Sequence, residues 1–237
     1  MLALRRLAHP LRRLAHPLRR LTTESKSSRH LLLDATARQL KGDIPQAEEL
    51  ARAALDALDA DDVAAHVDCW VFLGKLSQLQ GRFDDAEGLF IKARSAQPKE
   101  EAYHSTSLLA HVLRMQGRDD EAIAEYRSAL DGLESTKGWS EGATNHAAAA
   151  LATLLGERGS GLVEAEAIQS RAEAGLTTAF GSTDPRTLAT RVERARLAGR
   201  DGRKDDARAL LTSAMADLDP RHPAYRTAMA AEAELDD

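Results

Sequence analysis

WVFLGKLSQLQGRFDDAEGLFIKARSAQP (Trp70–Pro98) holds two apolar-periodic stretches on either side of one glycine, Gly81. The periodicity of each stretch predicts an amphipathic helix. Gly81 reads as the stop of the first helix, because glycine enters the left-handed conformation at little cost. Asp84 and Asp85 follow where acids favour the N-terminus of the second. Ala86 and Ala93 lie seven apart, so they share a face and let the two helices approach closely.

The same arrangement recurs along the chain. The alanine pairs are Ala47/Ala54, Ala86/Ala93, Ala122/Ala129, Ala165/Ala172 and Ala207/Ala214, led by Gly42, Gly81, Gly117, Gly159 and Gly202. A fixed period of this length is the mark of a stacked array, since one helix pair cannot bury its apolar stripe alone. Composition agrees: of 237 residues 44 are alanine and 4% are aromatic, which excludes an all-β sandwich or barrel. The expected fold is all-α, an α-α superhelix of about five helix-turn-helix repeats over residues 28–237, with Ala224–Leu235 as a final capping helix.

These residues resemble the tetratricopeptide repeat. Trp70, Leu73, Gly74, Gly81, Ala86, Phe90, Ala93 and Pro98 stand at its consensus spacing, as do Leu109, Ala110, Gly117, Ala122, Tyr126 and Ala129 in the third copy. The first copy has Ala51 where the second-helix aromatic belongs, and the fifth has Leu211 there and Arg194 at a usually apolar place. The later connections, Phe180–Thr187 and Asp219–Pro223, resemble kinesin-light-chain repeats, with Asp184 in the place of that type's histidine. The whole layout is loosely similar to the mitochondrial tetratricopeptide repeat protein 19 family. That resemblance implies association with the inner membrane and assistance to respiratory complex III.

The charge is divided. Residues 1–30 carry +7 and the rest of the chain −12. The segment LRRLAHP at Leu4–Pro10 recurs at Leu11–Pro17, and Thr22, Thr23, Ser25, Ser27 and Ser28 follow. An Arg- and Leu-rich, acid-poor start of this kind reads as a mitochondrial transit segment over residues 1–27, with a basic arm on an anionic membrane or a chloroplast address as the other readings. The acidic remainder argues against nucleic acid, whose phosphates need clustered cations. No run approaches the ~20 apolar residues of a membrane span, so a soluble or peripheral protein is expected.

No catalytic, cofactor or metal site is expected. One cysteine, Cys69, precludes a cysteine-based zinc site, and its register beside Trp70 makes it a packing residue. His104 and His111 share a face but lack a third ligand. Gly156–Gly161 lacks the Lys-Ser/Thr of a phosphate loop.

What remains is a surface for another protein. The resemblance places Asp68, Val71, Lys75, Gln78 and Leu79 on the groove side of one first helix, and His104, Ser107, His111, Arg114 and Met115 on the next. Val192, Arg196 and Arg200 follow in the fifth repeat. The mixed, mildly basic groove suits a helix or an extended acidic-apolar segment. The family's chaperone-tail clamp is not carried over, since its places read Val71/Lys75 and Ser107/His111. Trp139, in a Gly/Ser-rich connection, is either a loop anchor for a partner or a cover over helix ends. The expected function is a mitochondrial adaptor, in the matrix or on the matrix face of the inner membrane, that assists assembly or maintenance of a respiratory-chain complex. The alternatives are an accessory subunit of a respiratory, ATP synthase or mitoribosomal complex, and a cytosolic cargo adaptor.

Overall fold

The computed structural model describes residues 28–159 and 161–236; the transit-like segment 1–27 lies outside them. The described residues form eleven helices and no strand. They are α1 (28–40), α2 (Ile44–Asp56), α3 (Val63–Leu79), α4 (Phe83–Ser95), α5 (Tyr103–Met115), α6 (Asp119–Thr136), α7 (Gly142–Glu157), α8 (Leu162–Phe180), α9 (Pro185–Arg200), α10 (Lys204–Asp217) and α11 (Pro223–Glu234). The chain divides into two compact bodies, one ending at Ser105 and one starting at Thr106.

In the first body α3 packs on α2 and on α4. Ala47, Ala54, Ala86 and Ala93 are all 0% exposed, so the small residues do sit where helices touch. Phe90 is also fully buried and lies over Gly74, where a Cβ would stand 2.5 Å from its ring. Phe72, one turn earlier on α3, joins the cluster of Ala35, Ala51 and Leu73 that ties α3 to the preceding pair. On α1 the register equivalents of Phe72 and Leu76 are Leu33 and Ala37, and both are exposed, Leu33 at 68%. Thus, among the described residues, one face of α1 with the register of a buried one stays uncovered.

In the second body the sequential helices α6 to α10 pack in order, and α11 lies on α9 and α10. The acidic end of α11 is answered from α10: Lys204 and Arg208 donate to the Leu235 carbonyl, and Arg208 pairs with Asp236 at 3.0 Å. Tyr126 is fully buried, and its hydroxyl has no hydrogen-bond partner among the described residues. Burial pushes its phenol up to about 12. Because an unanswered buried hydroxyl costs stability, Tyr126→Phe is expected to unfold at the same denaturant midpoint or a higher one. A fall of more than about 1 kcal/mol would reveal a partner for the hydroxyl.

Each turn glycine named above has a positive φ, from 70° at Gly159 to 81° at Gly42 and Gly202. An arginine follows three of them, and Arg82 and Arg203 reach back one repeat. Arg82 binds Glu48 of α2 at 2.7 Å, and Arg203 binds Glu166 of α8, which occupies the same register. Burial raises the Glu48 carboxyl, but hydrogen bonds from Arg82, Gln80 and Arg52 outweigh it and hold the group below its usual range.

The two kinesin-light-chain-like turns share one device. Asp184 accepts from the Arg186 N–H at 2.9 Å and caps α9; His222 Nδ1 accepts from the Ala224 N–H at 3.2 Å and caps α11. A proline follows each cap, where its missing N–H is not needed. The Arg186 side chain and then its backbone N–H hold the Asp184 carboxyl down at about 2, from 3.8. A carboxyl depressed in the folded state stabilises fully above its unfolded value and loses that contribution as pH falls through the folded value. Wild type is therefore expected to exceed Asp184→Asn in stability at neutral pH. Denaturation midpoints taken from about pH 6 down to pH 2 should show that gap closing below about pH 4.

Candidate functional site

On α3, Asp68, Val71, Lys75 and Gln78 fall on one helical side at the spacing of successive turns. Asp68 is exposed and borders a concavity of about 110 Å³ with Asp62, Arg29 and Leu32, between α1 and α3. Val71, Lys75 and Gln78 are half-buried, and Leu79 is exposed. Lys75 has no ion-pair partner among the described residues. Cys69 is buried, and burial followed by the charges of Asp68 and Asp62 pushes its thiol up to about 11. At neutral pH it stays a thiol, which suits packing and not nucleophilic attack. On α5, His104 is exposed at the first turn, within the first body.

In the second body Ser107 corrects the groove expectation, being only 3% exposed. Its short side chain ends below the larger ones around it, so the position is covered although its register faces the groove. Val192 is likewise buried, at 1%. His111 is half-buried and faces His146 of α7, with ring centroids 6.1 Å apart. Burial, then His146 and Arg114, lower the pKa of His111. Met115 remains exposed. Arg114 is committed: its Nη2 lies 3.0 and 2.8 Å from the two carboxylate oxygens of Glu157 at the end of α7.

Arg196 and Arg200 of α9 face Glu157 across a concavity of about 160 Å³ whose wall also includes Gln169 of α8 and Glu193. Arg196 pairs with Glu193 at 3.0 Å. Arg200 has no ion-pair partner among the described residues and lies over Gly156, where a Cβ would be 3.5 Å from its Nη1. Glu157, Gln169, Glu193 and His146 were not singled out from the sequence. Glu157 was detectable, since it stands two residues before a turn glycine, as Arg200 does.

Trp139 covers helix ends and does not project as a free anchor. It is half-buried, its ring lies on Gly175 of α8, and its Nε1 donates to Glu134 at 3.3 Å. Asn145 donates to its carbonyl at 2.8 Å, which closes the connection onto α7. Among the described residues no His, Cys, Asp and Glu cluster could hold a metal, and no helix is long and apolar enough to cross a membrane.

Paired helices, left-handed turn glycines and buried alanines at a fixed register define a tetratricopeptide-type fold of the α-α superhelix class, and solved structures agree. The kinesin-light-chain-type, nearly identical TPR-like repeats of Podosopora anserina match with a TM-score of 0.70 and 19% identity, over 81% of this chain and 94% of that one. BtubC (BKLC) from P. vanneervenii matches at 0.70 and 20%, over 86% and 94%. YrrB, a TPR protein with an unusual peptide-binding site, matches at 0.57 and 15%, over 86% and 90%. No protein-family model and no curated protein matches the sequence.

Proposed function

We propose that this protein is a mitochondrial helical-repeat adaptor that assists the assembly or maintenance of a larger complex, of the respiratory chain in the first instance. The observation that carries the interaction reading is the pair of reachable, unspent cations, Lys75 on α3 and Arg200 on α9. Cations held on first-helix sides without a partner of their own suit an acidic segment of another protein. The similarity to a TPR protein with a peptide-binding site supports the same use of the fold. The +7 leucine-arginine start supports a mitochondrial address, and the loose likeness to the tetratricopeptide repeat protein 19 family supports the respiratory chain. The kinesin-light-chain-type neighbours favour a second reading, a cytosolic cargo adaptor.

A native-gel mass profile of fractionated mitochondria separates these readings. Small amounts on assembly intermediates, with the basic N-terminal peptides missing, are expected of the assembly adaptor. A constant ratio to one large complex would make the protein an accessory subunit instead. Absence from mitochondria would overturn both and favour the cargo adaptor.

A further inference from the structure

The fourth repeat departs from the others at one place in its second helix. The residue four positions after the first alanine is Phe90 in the second repeat, Tyr126 in the third and Leu211 in the fifth, each fully buried. In the fourth it is Gln169. Phe90 fills the space over Gly74, whose register equivalent on α7 is Ala152. Glutamine is slimmer than a ring, and a concavity of about 160 Å³ bounded by Ala152 and Gln169 stands there.

That notch is polar and partly unanswered. Gln169 is 4% exposed, yet its amide makes no hydrogen bond among the described residues. The amide therefore opens into the notch, where it is available to a ligand. Around the rim, Glu157 is already held by Arg114 and Glu193 by Arg196. Among the described residues that line it, the groups left uncommitted are the Arg200 guanidinium, the Gln169 amide and the Thr153 hydroxyl; the first two carry the argument. Both donate hydrogen bonds, and their common complement is a carboxylate. The rim carries Arg114, Arg196 and Arg200 against Glu157 and Glu193, a net single positive charge, so a monoanion fits better than a doubly charged anion such as phosphate.

We propose that this notch between α7, α8 and α9 is a binding site for one glutamate or aspartate side chain of an acidic partner segment, paired by Arg200 and hydrogen-bonded from the floor by Gln169. This deepens the adaptor reading and rests on it. The test is ¹⁵N NMR of the full chain titrated with N-acetyl-glutamate methylamide, with the blocked glutamine and inorganic phosphate as competing probes.

A saturable shift of the Gln169 side-chain amide is expected, at least about fivefold weaker with the blocked glutamine and lost in Arg200→Gln. No shift at Gln169, an equal response to the blocked glutamine, or a preference for phosphate would each overturn the proposal. Gln169→Phe puts a ring where the second and third repeats hold one. It is expected to melt at or above wild type and to bind no glutamate; melting below wild type would mean that the notch is not vacated ring space. If Gln169 stays silent while the protein still recovers a complex from mitochondrial lysate, the notch fails and the adaptor reading stands. Loss of both overturns both.

Discussion

Phe90→Ala is expected to cost the protein about 3–5 kcal/mol, as removal of a fully buried ring does when the surroundings relax only in part. The ring is 0% exposed and stands directly over Gly74. Collapse is resisted on both sides, by the 0%-exposed alanines Ala86 and Ala93 of its own helix and by α3 beneath it. The arrangement supplies an internal control. Gly74→Ala alone would place a methyl 2.5 Å from the ring and should destabilise. In the Phe90→Ala background the same methyl enters the vacated space, so the double variant should be more stable than the two single losses added together. Urea melts of the four proteins followed by circular dichroism measure this directly. Simple additivity would show that the two residues do not meet.

The second large effect belongs to Glu173 on α8. Its carboxylate takes Arg191 at 2.7 Å and Arg194 at 2.6 Å, both from α9, and the three side chains are 12–22% exposed. Arg194 stands in the register of Leu73, Leu109 and Leu151, so a polar seam replaces an apolar one between these helices. Glu173→Ala takes the shared anion from two partly buried cations, leaving Arg194 a 3.9 Å contact with Glu166 and Arg191 the Ser213 hydroxyl, and is expected to cost about 3 kcal/mol. Removing one cation together with the anion is a different matter, because it leaves one partly buried arginine, Arg191, in place of two. Glu173→Ala combined with Arg194→Leu should therefore recover part of the loss in the same melts. A double variant no better than Glu173→Ala would assign the cost to lost packing and not to the unpaired arginines.

The parts of the fold that are local in sequence could be read from it. The turn glycines, the alanines seven apart and the acids of each second helix act within one or two turns, and Gly81, Ala86 and Asp84 stand where their spacing puts them. Features that depend on a neighbour one repeat away were not visible. The reach of Arg82 to Glu48 spans 34 residues and that of Arg203 to Glu166 spans 37. Trp139 is covered because Gly175 offers it bare backbone, and nothing near position 139 announces that. The site residues divide in the same way. The resemblance put Lys75, Arg114 and Arg200 on the groove side of first helices, but only the structure shows that Arg114 is spent on Glu157. Ser107 was misread because a register carried over from the resemblance gives direction and says nothing of how far a short side chain reaches past the larger ones around it.

The open face of α1 also bears on how the molecule comes apart. In a stacked array each helix pair is held by its own internal contacts and by its interfaces with neighbours, and a pair missing one interface opens with the smaller free energy. Among the described residues nothing covers Leu33 and Ala37, while Phe72 and Leu76, their counterparts on α3, are packed. Backbone amides of 28–40 should therefore exchange with deuterium well before those of α3, in a front that advances from α1 inward, so that the first pair melts as a partial event while the pair behind it still holds.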